Sequence, residues 1–501
     1  MPLPITVKKR PLLPPDFVRA MLAGHSALGL AFAALIYVVC LTGTLAVFGQ
    51  ELARWEQPDG PVIERTPAAE VIAATVRAGY ARAKAEDAAH DIYIAGPLRT
   101  PGRLQVHYDD HEKGIEGEWL ADARGELTMR IAVPWSEFVA ALHAHLHLPK
   151  TWGKYLVGLT GVALFSSLIS GLLSHPRILK DAFMLRWGGS RRLQEADIHN
   201  RLGVWGLPFH VVVSATGALL GLSSLIIGVL ALAAYDGDRG KAIAVLVGPR
   251  PTNDATPAAI PDIGAMIRSV QINSPDAEFA SAFIQHIGTA GQTVQLGMHT
   301  PGQIAFSSTY RFRADGTIDS GAGQRHGVGR WILGALQPLH YGWFGGVAGK
   351  LLYGILGLAL AVVTHSGVAI WLLRRREKGR PAPGWEKAWA VVGWSQPLAF
   401  GTTALAAMLG AGAPLPGVYL ATVGAASVLA ALSTDGRMTA RVLRLLCALT
   451  FLAVAATHAM LWRDKAVDQM AWTVDLAIVI VSAIILSTLV GRRKSPRLTA
   501  L

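Results

Sequence analysis

The chain has 501 residues, of which 51% are hydrophobic and only 16% are charged, and its mean hydropathy is +0.37. Soluble domains carry about a quarter of charged residues, so this composition indicates a membrane protein and excludes a disordered chain or a coiled coil. The two cysteines, Cys40 and Cys447, lie inside apolar runs, which excludes a disulfide scaffold and argues against thiolate-bound zinc or iron–sulfur centres.

Eight apolar stretches approach the roughly 20 residues that a transmembrane helix needs, so we predict about eight spans. They cover residues 25–49, 153–174, 203–233, 349–373, 389–409, 417–433, 442–462 and 470–490. The first is too long for the apolar region of a signal peptide and lacks a small-residue cleavage pattern. We therefore interpret it as an uncleaved anchor.

The net charge of +12 comes from short basic segments beside the apolar runs. With the N-terminus inside, the predicted inner segments hold 21 Lys or Arg against 7 Asp or Glu, whereas 51–150 and 236–339 hold 19 against 24. This asymmetry follows the positive-inside rule, predicts cytoplasmic N- and C-termini, and gives no reason to expect nucleic acid binding.

Two long outer segments, residues 51–142 and 236–338, are each large enough for a small folded module. Each has a helical stretch followed by strand-like pieces with alternating apolar residues, and tight turns such as Asp315-Gly316. We predict two small α+β modules on the outer face. The other predicted regions are the tail and first span (1–50), the part with the second and third spans (143–235), the fourth span (339–376) and a C-terminal four-helix region (377–501).

An internal repeat organises the first four spans. Four positions of the first span recur in the third at an offset of 174: His25, Gly29, Thr42 and Gly43 correspond to His199, Gly203, Thr216 and Gly217. Four positions of the second span recur in the fourth at an offset of 196: Gly153, Lys154, Ser170 and Gly171 correspond to Gly349, Lys350, Ser366 and Gly367. Leu142-His143 recurs at Leu339-His340, one residue out of step. A pseudo-twofold axis along the membrane normal is predicted.

The axis pairs His25 with His199 at the inner face and His143 with His340 at the outer face. Two imidazoles that approach from opposite sides fill both axial positions of a haem, which suits electron transfer. The pattern therefore predicts two haems, one near each face. Any one of these histidines alone is better explained as an interfacial residue that hydrogen-bonds to a neighbouring carbonyl; the repeat favours the haem interpretation for the four together.

Other residues are candidates of a second order. His210 lies 11 residues after His199, about 20° from the same helix face and about 16 Å deeper, so it is an alternative ligand. His175 is another candidate at the inner face. Basic residues that are expected to meet haem propionates are Arg19, Arg177 and Arg201 near the inner pair, and Lys154, Lys350 and Arg330 near the outer pair. For His458, helix packing is the preferred interpretation.

Nucleotide and hydrolase motifs are missing: there is no Gly-x-Gly-x-x-Gly after a strand, no Walker loop, no His-Glu-x-x-His and no Gly-x-Ser-x-Gly. A separate donor, either cytoplasmic or a quinol, must then supply any electrons.

The ordered motifs between residues 15 and 376 resemble the PepSY-associated transmembrane helix family. They are His25-x-x-x-Gly29, Leu142-His143, Trp152-Gly153-Lys154, Ser174-His175-Pro176-Arg177, Asp197-x-His199, Pro208-Phe209-His210 and Leu339-His340. The family includes iron-regulated inner-membrane proteins and ferric-siderophore reductases of Gram-negative bacteria. The two outer modules look like PepSY domains, and the last four spans depart from the simplest form of the family.

The resemblance implies a multi-pass protein of the bacterial inner membrane that passes electrons outward to a periplasmic ferric siderophore. Reduction weakens the hold of hard oxygen ligands, so Fe(II) is released. Two alternatives stay open: a non-catalytic scaffold or transporter component whose PepSY-like modules bind a partner, and a di-haem conduit to another periplasmic acceptor.

Overall fold

The computed structural model describes residues 13–175, 182–183, 190–247, 254–300, 308–320, 328–410, 412–465 and 467–490. The predicted site residue Arg177, the first twelve residues and residues 491–501 lie outside this part, as does the side chain of Arg330. The helices before and between the strands are α1 (Pro15–Ala31), α2 (Ala33–Ala46), α3 (Gly49–Glu56), α4 (Ala69–Ala85), α5 (Pro134–His145), α6 (Lys150–Ser174), α7 (Arg191–Trp205), α8 (Leu207–Gly221), α9 (Ser223–Ala234), α10 (Arg239–Val247) and α11 (Ile263–Asn273). They are followed by α12 (Val328–Tyr341), α13 (Gly346–Glu377), α14 (Pro383–Met408), α15 (Leu415–Leu432), α16 (Gly436–Trp462) and α17 (Gln469–Val490).

Five of the described helices, α6, α13, α15, α16 and α17, are long and apolar enough to cross a membrane. The number rises to seven if the bent pairs α1–α2 and α7–α8 each form one span. The chain is therefore a multi-pass membrane protein, although the predicted count of eight is not reached by these helices. The predicted fifth span is α14, which is a continuous helix but carries polar residues such as Ser395, Gln396 and Thr403 in its middle.

The two bends occur at equivalent positions of the sequence repeat. α1 and α2 meet at Phe32 with an angle of 68°, and α7 and α8 meet at Gly206 with an angle of 71°. Pro208 explains the second bend, because proline lacks the N–H of a regular helix and clashes with the preceding turn. The predicted third span, 203–233, is consequently divided among α7, α8 and α9.

The helix contacts in the first half of the repeat have counterparts in the second half. α6 packs along α1 and α8, while α13 packs along α7 and α2. A Cβ atom on Gly161 would lie 2.9 Å from the Ala218 nitrogen, and one on Gly357 would lie 2.6 Å from Thr44 Oγ1. The two glycines are related by the repeat offset of 196 and their partners by that of 174, so glycine allows the same close approach of helices in both halves.

The strands of both outer segments form one antiparallel sheet in the order β4-β3-β2-β1-β5-β6-β7-β8. The strands are β1 (Asp91–Ala95), β2 (Leu104–Asp110), β3 (Ile115–Ala121), β4 (Leu127–Arg130), β5 (Glu278–Gln285), β6 (Thr293–His299), β7 (Ser308–Phe312) and β8 (Ile318–Ser320). β1 pairs with β5, for example Ile92 with Ile284. The two predicted modules therefore share a single sheet with four strands from each.

One face of the sheet is covered by helices. In β2, Leu104, Val106 and Tyr108 are fully buried, whereas the residues between them are partly exposed. This alternation of period two is typical of a sheet with one buried face. α4 and α11 supply the other side of the core, with residues such as Ile72 and Ile267.

The C-terminal helices α14 to α17 form a bundle that contacts α3. Arg54 donates to both carboxylate oxygens of Asp468, at 2.5 and 2.7 Å. Deeper in the bundle, Asp475 accepts from Trp55 Nε1 and lies 2.8 Å from Nδ1 of the buried His458. The packing role predicted for His458 agrees with this network of buried hydrogen bonds.

Candidate functional site

The structure brings His143 and His340 together, and we call them the outer pair after their predicted side of the membrane. Their ring centroids lie 6.1 Å apart with an interplanar angle of 26°. Nδ1 of His143 donates to the Val39 carbonyl oxygen at 3.0 Å. His340 occupies the equivalent position, because its Nδ1 lies 3.0 Å from Thr216 Oγ1, as Nδ1 of His143 lies 3.4 Å from Thr42 Oγ1.

The inner pair consists of His25 and His199, whose ring centroids also lie 6.1 Å apart, with an interplanar angle of 74°. Nδ1 of His25 donates to the carbonyl oxygen of Ser167 at 2.8 Å, and Nδ1 of His199 donates to that of Val363 at 2.9 Å. A carbonyl oxygen can only accept, so the proton in each ring lies on Nδ1. Nε2 then keeps its lone pair, which is the form that binds a metal.

Each of the four rings lies against a glycine on a neighbouring helix. An added Cβ would come within 2.8 Å of the His143 ring at Gly43, 3.0 Å of the His340 ring at Gly217, 3.0 Å of the His25 ring at Gly171 and 3.3 Å of the His199 ring at Gly367. All four glycines belong to the sequence repeat. A side chain at these sites would push the imidazole away from its carbonyl partner, so glycine is required to seat the ring.

Two adjoining cavities contain the pairs. The outer cavity has a volume of about 370 Å³ and is lined by His143 and His340, and the inner cavity has about 330 Å³ and is lined by His25 and His199. Both volumes fall in the range of small-molecule and cofactor sites. Three apolar side chains line both cavities: Ile36, Leu164 and Leu360. One layer of side chains thus forms a wall common to the two.

Of the predicted charged neighbours, the structure places Lys154 at the outer cavity. Its repeat counterpart, Lys350, is not among the lining residues and instead donates to Glu51 Oε1 at 2.6 Å. His175 lines the inner cavity as predicted, and so does Arg374, which the sequence analysis missed. Arg374 belongs to the basic run Arg374-Arg375-Arg376, which the sequence led us to interpret only as a sign of the cytoplasmic side of the membrane.

Three further predicted residues, like Lys350, do not line either cavity. His210 is fully buried, and its ring fills the space beside Gly206. Arg201 lies with its guanidinium carbon 5.3 Å from the centre of the Trp205 ring, and Arg19 pairs with Asp16 on the exposed side of α1. The bend at Gly206 separates the helical face of His199 from that of His210, so the straight-helix estimate that linked them does not apply.

The other histidines near the membrane have separate roles in packing. His145 Nδ1 lies 3.1 Å from the Leu148 carbonyl, and His147 Nε2 donates to the Phe138 carbonyl at 2.9 Å. Both therefore secure the turn at the end of α5. His365 stacks on Trp389 with ring centroids 5.5 Å apart, between α13 and α14.

The arrangement can hold a metal group between each pair of imidazoles, at two depths in one helical bundle. The fold is thus that of a multi-pass membrane protein with paired histidines and an extramembrane sheet. A family model described as the PepSY-associated TM region matches residues 22–374. The chain belongs to this family.

The chain is also similar to an uncharacterized protein of Pseudomonas aeruginosa. The two sequences are 31% identical over 338 residues, which cover 62% of this chain and 83% of the relative.

Proposed function

We propose that this protein is a di-haem, b-type electron-transfer protein of the bacterial inner membrane that reduces a ferric siderophore on the periplasmic side. The observation that carries the proposal is the repetition of one geometry: two histidine pairs, each with ring centroids 6.1 Å apart, in two adjoining cavities. The acceptor is proposed from the family, which includes ferric-siderophore reductases.

The separation of the rings would allow both imidazoles of a pair to hold one iron. A metal–nitrogen bond of about 2 Å and a ring radius of about 1.2 Å on each side give a centroid separation of about 6 Å. An iron held by both imidazoles would supply one-electron transfer rather than oxygen chemistry.

The residues around the rings also fit this role. Metal-binding histidines commonly donate their other ring nitrogen to a carbonyl or carboxylate, which fixes the ring and raises its basicity. Here Val39 and Ser167 supply such carbonyls for His143 and His25. In addition, Lys154 and Arg374 supply one positive charge to each cavity, suited to the carboxylates of a haem.

When bound, haem supplies a one-electron carrier at each depth. The protein residues hold the rings, exclude water with apolar walls and keep the two cavities only one layer of side chains apart. Each Fe(III) that is reduced takes one electron, which a quinol or a cytoplasmic donor must provide. The resulting Fe(II) binds hard oxygen ligands more weakly and leaves the carrier.

Two architectural points belong to the same proposal. The offsets of 174 and 196 recur in helix contacts, in the two bends and in the glycines. They support a pseudo-twofold axis that relates one half (α1, α2 and α6) to the other half (α7, α8 and α13). α14 is proposed as a further span, because it has 26 residues and packs along α15 and α16. Eight spans would then place both termini in the cytoplasm, as the distribution of basic residues indicates.

The test is a dithionite-reduced minus oxidised visible spectrum of the purified protein, with haem quantified per polypeptide. We expect about two low-spin b-type haems per chain. The reduced protein should then be reoxidised by ferric siderophore, with Fe(II) captured by a ferrous chelator. Absence of haem in protein expressed with adequate haem supply would overturn the proposal in favour of a scaffold. Haem without siderophore reduction would indicate another acceptor.

Single substitutions assign the ligands. His25→Ala and His199→Ala should each remove the inner haem and leave the outer one, and His143→Ala and His340→Ala should do the reverse. His145→Ala is the matched control, because this residue lies on the same helix as His143 but outside both cavities. Loss of one haem in His210→Ala with full haem content in His199→Ala would contradict the pairing.

A further inference from the structure

A cluster of metal-binding side chains lies in the extramembrane sheet, away from both cavities. His90, Asp91 and His286 each offer a ligand atom, and these three atoms lie within 4.8 Å of one another. None of the three lines the inner or the outer cavity. We propose that these residues form a binding site for a divalent first-row transition metal ion, such as Fe(II) or Zn(II).

The site lies at the seam between the two halves of the sheet. Asp91 begins β1, which comes from the first outer segment, and His286 follows directly on β5, which comes from the second. The backbone holds the two together, since His286 N donates to Asp91 Oδ1 and Ile287 N donates to the His90 carbonyl, both at 3.0 Å. An ion bound here would connect the two halves.

The contacts of His90 suggest that an ion belongs between the side chains. His90 Nδ1 lies 3.0 Å from Asp91 Oδ1, yet it is buried and has no hydrogen-bond partner among the described residues. Two donor atoms bound to one metal at about 2.1 Å lie about 3.0 to 3.4 Å apart at bond angles of 90–110°. The two side chains therefore already have the spacing of neighbouring ligands.

The conformation of His286 is a second, independent observation. Its φ angle is +52°, in the left-handed region that non-glycine residues rarely adopt. The conformation places the His286 ring against that of His90, with centroids 4.8 Å apart. Local strain of this kind is retained where the surroundings or a ligand determine it.

The ligand types define the class of ion. Two imidazoles and one carboxylate form the set found in many Fe(II) and Zn(II) sites, whereas Mg²⁺ and Ca²⁺ prefer oxygen atoms alone. Asp91 is only 5% exposed, while the His90 side chain is 37% exposed, so the ion has a route to solvent and a shielded anionic ligand.

The inference does not rest on the proposed electron transfer, and its test needs no haem. The full-length protein, carrying an affinity tag without histidine, is stripped with a chelator and equilibrated with Zn(II) by dialysis. Zinc is chosen because it is distinguished from haem iron by mass spectrometry. We expect one zinc ion per chain that is absent or at least about tenfold more weakly bound in His286→Asn, and no comparable binding of Mg(II).

His286→Asn is the informative variant because asparagine tolerates the left-handed conformation, so the turn should survive. His107→Ala is the matched control, since His107 lies in the same sheet but pairs with Glu118. Zn(II) should raise the melting temperature of the wild type and of His107→Ala, but not that of His286→Asn.

Undiminished zinc binding in both His286→Asn and His90→Ala would overturn the proposal. Loss of binding in His111→Ala alone would also overturn it, because the ion would then sit in the neighbouring group of Asp91, Asp109 and His111.

Discussion

Ser167 and Val363, which correspond to each other in the sequence repeat, use the same backbone atom in the same way. The carbonyl oxygen of Ser167 accepts from His25, and that of Val363 accepts from His199. A backbone acceptor is independent of side-chain identity, so the two halves can differ in sequence at this point and still fix the imidazole in one tautomer. The glycines beside the rings, in contrast, cannot be replaced without bringing a Cβ atom against the imidazole.

The first prediction concerns those glycines. Gly43→Ala should displace His143, because the new Cβ would lie 2.8 Å from the ring, and should lower the content of the outer haem or convert part of it to high spin. Gly367→Ala should have a milder effect on the inner haem, since its nearest ring atom is 3.3 Å away. Visible and electron paramagnetic resonance spectra measure both effects.

Gly24→Ala is the control for the glycine series, because Gly24 adjoins His25 but an added Cβ meets nothing within 4 Å. Equal spectra for Gly43→Ala and Gly24→Ala would show that the close contact does not seat the ring.

The second prediction compares two lysines at equivalent positions. Lys154 lines the outer cavity, whereas Lys350 is neutralised by Glu51. Lys154→Met should lower the midpoint potential of the outer haem by tens of millivolts, because loss of a nearby positive charge favours the oxidised form; about 59 mV corresponds to a tenfold change for one electron. Lys350→Met should change the potential less. A spectroelectrochemical titration that gives the opposite order would contradict this assignment.

The third prediction concerns the buried carboxylate of the C-terminal bundle. Asp475→Ala removes the acceptor of Trp55 Nε1 and the hydrogen-bond partner of His458 Nδ1, so we expect a loss of about 2–4 kcal/mol in the free energy of unfolding. The spectrum of the folded protein should stay unchanged, because His458 lies outside both cavities. Asp464→Ala, at an exposed ion pair near the end of α16, should change stability by less than about 0.5 kcal/mol. Haem loss in Asp475→Ala would assign the bundle a direct role in the site.

The fourth prediction is a pH dependence in the sheet. The close approach of His107 Nδ1 to Glu118 Oε1, at 3.2 Å, raises the pKa of the imidazole and lowers the pKa of the carboxyl group. Because the folded-state pKa of His107 is raised, its stabilisation is fully present below its unfolded value of about 6.5 and is lost as the pH rises through the folded value. The side chains are 33% and 47% exposed, so the gain is at most about 1 kcal/mol.

Melting temperatures of the wild type and Glu118→Gln measure this effect. The difference should be fully present near pH 6 and should shrink as the pH rises through the raised folded-state pKa of His107. A difference that grows with pH would contradict the ion pair.

The fifth prediction concerns orientation. In a variant with Cys40 and Cys447 replaced by alanine, new cysteines at the exposed residues Glu112 and Asp315 should react with a membrane-impermeant maleimide from the periplasmic side. A cysteine at Lys378, next to the basic end of α13, should react only after the membrane is opened. The reverse pattern would invert the direction of the proposed electron transfer.

The sequence predicted the family and the multi-pass character, because each depends on composition or on spacing along the chain. It did not predict the bend at Phe32, where no proline occurs. It also did not predict the ion pair of Lys350 with Glu51, because Glu51 lies far away in the sequence. The position of Arg374 at the inner cavity and the cluster of His90 with His286 also arise from tertiary contacts. Periodicity carries no information on such long-range pairs.

The pairing of β1 with β5 has a consequence for biogenesis. β1 is synthesised well before β5, and residues 96–277, which include α6 to α8, come between them. Until β5 has been made and has reached β1, which in the proposed topology requires the second outer segment to cross the membrane, one edge of β1 presents a row of unpaired amide and carbonyl groups. Such an edge invites association with other chains. Completion of the sheet therefore waits for insertion of the helices in between, and any delay in that insertion prolongs the exposure of an aggregation-prone edge.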